Sequence, residues 1–210
     1  PEDVAFIINT IEKNGHQAYA VGGCVRDTIM GTTPNDWDIT TSALPEEVKS
    51  LFNKTIDTGI QHGTVTVMLH SVGYEVTTYR IDGDYLDGRH PSCVEFSDRL
   101  TDDLCRRDFT INAMAYNDRT GLVDEYGGIA DINNKVIRCV GNPVERFTED
   151  ALRMMRAIRF SAQLGFSIES NTYQAIEQLS KNIQKVSMER VCVELKKTLM
   201  SANPDFCGLY

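Results

Sequence analysis

Two aspartates stand one residue apart in the segment Asp36-Trp37-Asp38, shortly after a pair of glycines. Residues 36–40 alternate polar and apolar side chains, as strands do, so we expect Asp36 and Asp38 to project from one face toward a common point. Two carboxylates held this close repel each other unless a cation lies between them, and Mg²⁺ prefers oxygen ligands. The spacing therefore predicts a magnesium site and triphosphate chemistry.

The glycine pair, Gly22 and Gly23, has the surroundings of a phosphate-binding turn. Residues 19–21 are apolar and strand-like, the glycines allow a tight turn, and residues 24–30 are predicted to be helical. Such a turn presents backbone N–H groups to an anion, and Arg26 adds a forked cation. Alone, a glycine pair is usually a simple turn and Asp-x-Asp usually a solvated loop. Because the glycine pair and the aspartate pair occur in this order and close together, a functional site is favoured over these simpler interpretations.

The composition is that of a globular protein, with 41% hydrophobic and 24% charged residues among 210. The six cysteines have no C-x-x-C spacing, so we expect reduced thiols and a cytoplasmic protein. No apolar run has membrane-spanning length and no signal peptide is recognisable, so we expect no membrane partner. The net charge of −9 disfavours an extended nucleic-acid groove, although arginines cluster locally at 106–107 and 153–159.

The periodicity of the chain predicts an α+β fold with a small mixed sheet and helices. Helices are expected at 4–13, with four apolar residues on one face, and at 45–52. Strands are expected at 64–69 and 74–81 around a turn at 71–73, and a buried strand at 109–116. From residue 169 onward the pattern is helical, with an apolar stripe of Val191, Leu195 and Leu199.

Residues 149–160 predict a helix that begins with acidic residues and places Asp150 beside Arg153. A carboxylate accepts from the exocyclic amino group of cytosine or adenine, and a guanidinium donates to the adjacent ring nitrogen. Uracil and guanine present the opposite pattern and would leave both charges unpaired. One such pair could therefore select C and A, although an ordinary surface ion pair is the alternative.

These features belong to a set of segments that resembles the class II tRNA nucleotidyltransferases, the CCA-adding enzymes, and the related bacterial poly(A) polymerases. The segments occur in the family's order over nearly the whole chain. They are GGCVRD at 22–27, DWD at 36–38, DGDYLDGRHPSCVEF at 82–96, RRDFTINAMAY at 106–116, EYGGIADI at 125–132, EDALRMMRAIRF at 149–160 and ERVCVEL at 189–195.

The resemblance implies a nucleotidyltransferase head over residues 1–142 and an all-helical neck for base recognition over 143–210, with the C-terminal tRNA-binding domains absent. It implies template-independent addition of C and A from CTP and ATP to the 3′ end of tRNA, with Mg²⁺ as cofactor and no protein partner. The loop at 82–96, expected to be mobile, selects nucleotides in the family, and its presence favours an enzyme able to add the terminal A. Within it, Asp87 and Arg89 are expected to be solvated.

The resemblance also assigns roles to residues. Asp36 and Asp38 would be catalytic metal ligands. Glu75 would be a third catalytic carboxylate, although an exposed strand glutamate is an equal alternative. Glu189, Arg190 and Glu194 would brace the nucleotide-binding helix. The predicted nucleotide-binding residues are Gly22, Gly23, Arg26, Arg107, Asp108, Asn112, Asp150, Arg153, Arg156 and Arg159.

Three alternatives stay open from the sequence. The chain could be an A-adding enzyme or a poly(A) polymerase, which share these motifs, and incorporation of CTP would separate them. It could be a nucleotide-binding module without turnover, although the intact aspartate pair disfavours this. A phosphohydrolase would require a His-Asp metal cluster, which the four isolated histidines do not supply.

Overall fold

The computed structural model describes residues 1–83 and 94–203 of the chain. Most of the predicted loop at 82–96, including Asp87 and Arg89, lies outside the described residues. Two compact units are distinguished: the first takes in 1–83, 94–107 and 112–126, and the second takes in 108–111 and 127–203. These compact units divide near residue 127. Residues 127–142 pack with the later helices.

A seven-stranded mixed sheet forms the centre of the first unit, with the strand order β3-β4-β5-β2-β1-β8-β9. Its neighbouring strands are antiparallel except β2 and β5, which run parallel. A separate hairpin joins β6 and β7. The strands are β1 (Ala18–Val21), β2 (Asp38–Thr41), β3 (Thr55–Gly59), β4 (Thr64–Leu69), β5 (Val72–Thr78), β6 (Arg80–Asp82), β7 (Val94–Phe96), β8 (Ala115–Asn117) and β9 (Gly121–Val123).

Four helices belong to the same unit: α1 (Glu2–Lys13), α2 (Gly23–Ile29), α3 (Pro45–Leu51) and α4 (Leu100–Cys105). Helix α1 packs on β1 and buries Val4, Ile7, Ile8 and Ile11, the apolar face that the sequence predicted. The predicted mixed sheet flanked by helices is therefore confirmed.

Two strand predictions in this region were wrong in detail. The turn between β4 and β5 is at His70 and Ser71, which have φ of 48° and 68°, so that Leu69 pairs with Val72. A two-residue turn with left-handed residues matches the right-handed twist of the flanking strands. Residues 72 and 73, predicted to be in the turn, therefore belong to β5. The predicted run at 74–81 divides into β5 and β6.

The segment predicted as a strand at 109–116 is buried but mostly not a strand. It contains a 3₁₀ turn at Thr110–Asn112, and the sheet receives only Ala115–Asn117. The side chain of Asp108 accepts the N–H of Phe109, and the carbonyl of Arg138 accepts the N–H of Thr110. A short segment in which apolar residues alternate with others indicates burial without distinguishing a strand from such a turn.

The described residues of the second unit form five α-helices: α5 (Gly128–Asn134), α6 (Pro143–Glu149), α7 (Leu152–Leu164), α8 (Ser170–Leu179) and α9 (Met188–Leu199). It also contains a two-stranded parallel ladder of β10 (Val136–Ile137) and β11 (Ser167–Ile168), so its described residues are not all helical. Helix α7 packs on α9, and α6 packs on α8. None of the helices in the described parts of the chain has the length and apolarity to span a bilayer.

The buried face of α9 differs from the predicted stripe. Leu195 and Leu199 are 45% and 65% exposed, whereas Glu194 and Thr198 are buried. The prediction was wrong because an ion pair, formed by Glu194 with Arg159 of α7, occupies the packed face. Periodicity alone assigns the apolar residues inward and cannot anticipate a buried charge pair.

Candidate active site

The first unit brings three acidic side chains together where β2 begins alongside β5. Asp38 is the first residue of β2 and lies directly opposite Glu75 of β5 in the ladder. Asp36 precedes the strand, which corrects the expectation of one strand over 36–40. Both aspartates and Glu75 nevertheless line one cavity of about 360 Å³.

Negative charge accumulates in this cavity. Partial burial raises the pKa of Asp38, Arg107 opposes the rise, and Asp36 adds to it. Partial burial likewise raises the pKa of Glu75, with further contributions from Asp38 and Asp36. In residues 1–83 and 94–203, no three His, Cys, Asp or Glu side chains are arranged to hold an ion together. A cation in the cavity would nevertheless relieve the repulsion between its carboxylates, and Asp36 and Asp38 are two oxygen donors that could hold it.

Gly22 makes the turn between β1 and α2 with φ of 84° and ψ of −133°, in the region that favours glycine. Its N–H donates to the carbonyl of Met114 at 3.1 Å. A Cβ at this position would lie 3.1 Å from Nη1 of Arg107. The glycine therefore allows the guanidinium of Arg107 to approach the backbone of the turn.

Arg26 and Asn112, both predicted to bind nucleotide, contact each other in this unit. Nη1 of Arg26 donates to Oδ1 of Asn112 at 2.7 Å, and its Nε and Nη2 donate to Oδ1 of Asp27. Arg26 and Asn112 are 8% and 6% exposed. The helix α2 is thereby joined to the segment that follows the arginine pair.

Arg107 is held by a residue that the sequence reasoning missed. Nη2 of Arg107 donates to Oδ2 of Asp103 at 2.9 Å, and Arg106 donates to Oδ1 of the same carboxylate. Burial alone would raise the pKa of Asp103, but Arg107 and Arg106 lower it to about 2. The available signal was spacing, because Asp103 stands three and four residues before the two arginines on a helical segment.

In the second unit, Asp108 pairs with Arg156. Oδ2 of Asp108 accepts from Nε of Arg156 at 2.7 Å and from its Nη2 at 2.6 Å. The pKa of Arg156 is raised by Asp108. The guanidinium also lies 5.3 Å from the ring centroid of Phe160. The structure therefore joins two of the predicted nucleotide-binding residues in an ion pair.

Asp150 and Arg153 are close in the backbone but not side by side on one helix. Helix α6 ends at Glu149, Asp150 has extended backbone angles, and α7 begins at Leu152. This corrects the single helix expected over 149–160. Oδ1 of Asp150 accepts the N–H of Leu152 at 3.0 Å, so the side chain caps α7. The carbonyl of Asp150 accepts the N–H of Arg153 at 3.0 Å.

The two side chains have different ionic partners. Oδ2 of Asp150 accepts from Nη2 of Arg190 at 2.8 Å. Nη1 of Arg153 donates to Oε2 of Glu149 at 2.6 Å and to the carbonyl of Arg146. The alternative interpretation was an ion pair between Asp150 and Arg153. In the described structure these two side chains pair with Arg190 and Glu149 instead.

Arg159, the last of the predicted nucleotide-binding residues, is 7% exposed. Its Nε donates to Glu194 of α9, and its Nη1 donates to Gln163 at 2.7 Å. Burial lowers the pKa of Arg159, and Glu194 opposes that change. A contact between Arg159 and a nucleotide would require this pair to open. Arg190 of α9 pairs with Asp150, and Glu194 of α9 pairs with Arg159. These two ion pairs attach α9 to the start and to the middle of α7.

Comparison with known proteins decides the family of this site. Residues 18–138 match the family described as the poly A polymerase head domain, which is more than half of the chain. The chain belongs to the poly(A) polymerase head-domain family. Residues 165–207 match a second family, described as the probable RNA and SrmB-binding site of polymerase A. The first match includes Asp36, Asp38, Glu75 and Arg107.

Similar members of this family are CCA-adding enzymes. That of Leuconostoc mesenteroides is 53% identical over 200 residues, which cover 95% of this chain and 50% of that protein. The solved CCA-adding enzyme of Bacillus stearothermophilus in complex with CTP has 43% identity and a TM-score of 0.88, covering 96% of this chain and 49% of that one. The Thermotoga maritima enzyme complexed with tRNA-CCA has 26% identity and a TM-score of 0.82, with coverage of 98% and 48%.

The chain spans about half the length of the relatives it matches. The sequence-based assignment to this family and the predicted nucleotidyltransferase head are confirmed.

Proposed function

We propose that this chain catalyses template-independent addition of C and A, from CTP and ATP, to the 3′ end of tRNA. The observation that carries the proposal is the cavity in which Asp36, Asp38 and Glu75 meet. Support for the choice of substrates comes from the relatives that are named CCA-adding enzymes and from the solved relative that holds CTP. We further propose a cytoplasmic location, with the tRNA 3′ end as the macromolecular partner.

The donor set of the cavity suits Mg²⁺, because it consists of carboxylate oxygens. Burial raises the pKa of Asp38 and of Glu75, and repulsion from the neighbouring carboxylates adds to both rises. Asp36 and Asp38 would hold the metal. Bound there, Mg²⁺ supplies activation of the 3′ hydroxyl and stabilisation of the pyrophosphate leaving group. Glu75, whose raised pKa favours taking up a proton, is proposed to assist deprotonation of that hydroxyl.

The triphosphate is proposed to bind at the glycine turn. Gly22 and Gly23 provide backbone without side chains, and Arg107 lies beside the turn with its guanidinium fixed. Arg26 and Asn112, joined by a hydrogen bond, support the same turn from α2. Guanidinium groups suit this task because their planar donors match phosphate oxygens.

Base selection is proposed for the second unit, through Asp150 and Arg153 at the start of α7. Each residue keeps one ionic partner, Arg190 or Glu149, which orients it. The side chain of Arg156 is 34% exposed while paired with Asp108 and is a further candidate nucleotide contact. We retain Asp108 and Arg159 as candidates that act through these pairs. The functional boundary between head and neck remains proposed near residue 142.

Adenylation alone is the second candidate function, favoured by the family description, which names poly A polymerase. Incubating the chain with a tRNA that lacks its 3′ CCA, labelled CTP or ATP, and Mg²⁺ separates the two. Two C residues followed by one A are expected, with UTP and GTP excluded. Addition of A without any C would establish the second function instead. CTP binding without addition of either nucleotide would contradict catalysis by this chain.

A further inference from the structure

One carboxylate beneath the proposed triphosphate site is completely enclosed. Asp103 of α4 has no exposed surface, yet it is ionised beside two arginines. Its Oδ1 accepts from Nε of Arg106 at 3.0 Å and from its Nη2 at 2.6 Å. Its Oδ2 accepts from Nη2 of Arg107 at 2.9 Å. Each oxygen thus has its own arginine.

The other end of the Arg107 guanidinium faces the glycine turn. Nη1 lies 3.1 Å from the position that a Cβ of Gly22 would occupy. Arg107 also opposes the rise that burial causes in the pKa of Asp38, so its positive charge acts on the carboxylate cavity. Nε of Arg107 is buried without a hydrogen-bond partner among the described residues. Among the described residues, the hydrogen bond that orients this guanidinium is therefore the one to Asp103.

Asp103 does not neutralise the positive charge of Arg107 that a phosphate would bind, because Asp103 is shared with Arg106. One carboxylate shared by two guanidinium groups leaves a net positive charge. Because Arg106 supplies the second cation, Asp103 is compensated within its buried position while Arg107 keeps donors for another anion. A long arginine side chain that is anchored at one end also loses less conformational freedom when it binds.

We propose that Asp103 is a positioning residue for nucleoside triphosphate binding, acting by fixing the guanidinium of Arg107 at the Gly22 turn. The inference rests on the proposed function, in which Arg107 contacts the triphosphate. It adds a residue that contacts no substrate and that determines how the triphosphate, rather than the base, is bound.

The test measures binding of CTP, of CMP and of inorganic tripolyphosphate by titration calorimetry. The variants are Asp103→Asn, Arg107→Gln, the double variant and Arg107→Lys. Asp103→Asn is expected to weaken CTP and tripolyphosphate binding by about ten- to a hundredfold, with little effect on CMP. The double variant should lose no more affinity than Arg107→Gln alone, because Asp103 acts through Arg107.

Arg107→Lys keeps the charge and leaves Asp103 paired with Arg106, so the fold is retained even if Asp103→Asn does not fold. A single ammonium cannot present separate, coplanar donors to Asp103 and to a phosphate. We therefore expect Arg107→Lys to lose most of the affinity that Arg107→Gln loses. Near-normal CTP affinity in Arg107→Lys would show that charge suffices without anchoring, and would overturn the inference.

Two further outcomes separate a failure of the proposed triphosphate contact from a failure of the role of Asp103. If Arg107→Gln leaves CTP affinity unchanged, the proposed triphosphate contact itself is wrong. If Arg107→Gln weakens binding but folded Asp103→Asn does not, or if their losses add in the double variant, the triphosphate contact stands and the positioning role of Asp103 fails.

Discussion

Asp38 and Glu75 lie directly opposite each other on the parallel strands β2 and β5. This is the one parallel pair among the described neighbours of the seven-stranded sheet. Side chains opposite each other on one face are near neighbours, so the register alone brings together two carboxylates from distant parts of the chain. Asp36, just before β2, completes the acidic lining.

Replacing Asp36 or Asp38 by Ala should lower nucleotidyl transfer by about three orders of magnitude or more, because metal-assisted stabilisation of the transferring phosphoryl group supplies several kcal/mol. CTP affinity should be largely kept. Mg²⁺ should also raise the melting temperature of the wild-type chain and not of the variants. Asp57→Asn, which alters an exposed pair with Lys49, is the control and should keep the Mg²⁺ response. Substantial turnover in Asp38→Ala would refute the metal assignment.

Glu75 should make stability depend on pH in the absence of Mg²⁺. Because folding raises the pKa of Glu75, the folded state holds this proton more tightly than the unfolded chain does. The free energy of unfolding should therefore decrease as pH rises from the ordinary glutamate pKa through the raised one. Glu75→Gln should stabilise the protein at neutral pH by about 0.5 kcal/mol, a small value because water screens this exposed group.

Thermal melts of Glu75→Gln over an acid-to-neutral series test this dependence. Glu46→Gln, at an exposed residue paired with Lys49, is the matched control and should show no such gain. Equal melting temperatures for wild type and Glu75→Gln at every pH would contradict the prediction.

Gly22→Ala should reduce both stability and triphosphate affinity. The backbone angles of Gly22 cost about 1–3 kcal/mol for a residue with a Cβ, and the new atom would crowd Nη1 of Arg107. Gly15→Ala is the comparison, because Gly15 has φ of 90° but open space around its Cβ position. Both variants should have a lower melting temperature, while only Gly22→Ala should lose affinity for CTP in a titration. A similar loss of CTP affinity in Gly15→Ala would show that the Gly22 turn has no specific role in binding the triphosphate.

Arg153→Ala should relax the choice of base. Without the guanidinium, a wrong base no longer leaves a charged donor unpaired, so discrimination against UTP should fall by about a hundredfold. The measurement is kcat/KM for CTP, ATP, UTP and GTP under identical conditions. Lys196→Ala, which removes an exposed cation from α9, should leave the ratios unchanged. Unaltered exclusion of UTP and GTP in Arg153→Ala would disprove selection by this residue.

Glu194→Gln should destabilise the second unit by about 3 kcal/mol, because it leaves Arg159 as a buried charge without a counterion. Glu189→Gln changes an exposed residue of the same helix and should have almost no effect. Chemical denaturation measures both. Equal stability of the two variants would show that the Arg159–Glu194 pair does not hold α9 to α7.

Several local elements and the spacing of the motif residues could be predicted from the sequence alone. Helix α1, the glycine turn and the spacing of Asp36 and Asp38 depend on periodicity and on neighbours along the chain, which a sequence displays directly. Which motif residues contact each other depends on tertiary packing, which the sequence does not display. The opposition of Asp38 and Glu75 depends on sheet register, and the burial of Asp103 depends on the packing around α4.

The pairs in the second unit show the same division. Periodicity correctly predicted helices there, but it placed Asp150 inside one and put Leu195 and Leu199 inward. Asp150 instead caps α7 and binds Arg190, while Glu194 takes the inner face of α9. Ion pairs between distant residues depend on how helices pack, and buried charges can override the hydrophobic pattern only where packing supplies the opposite charge.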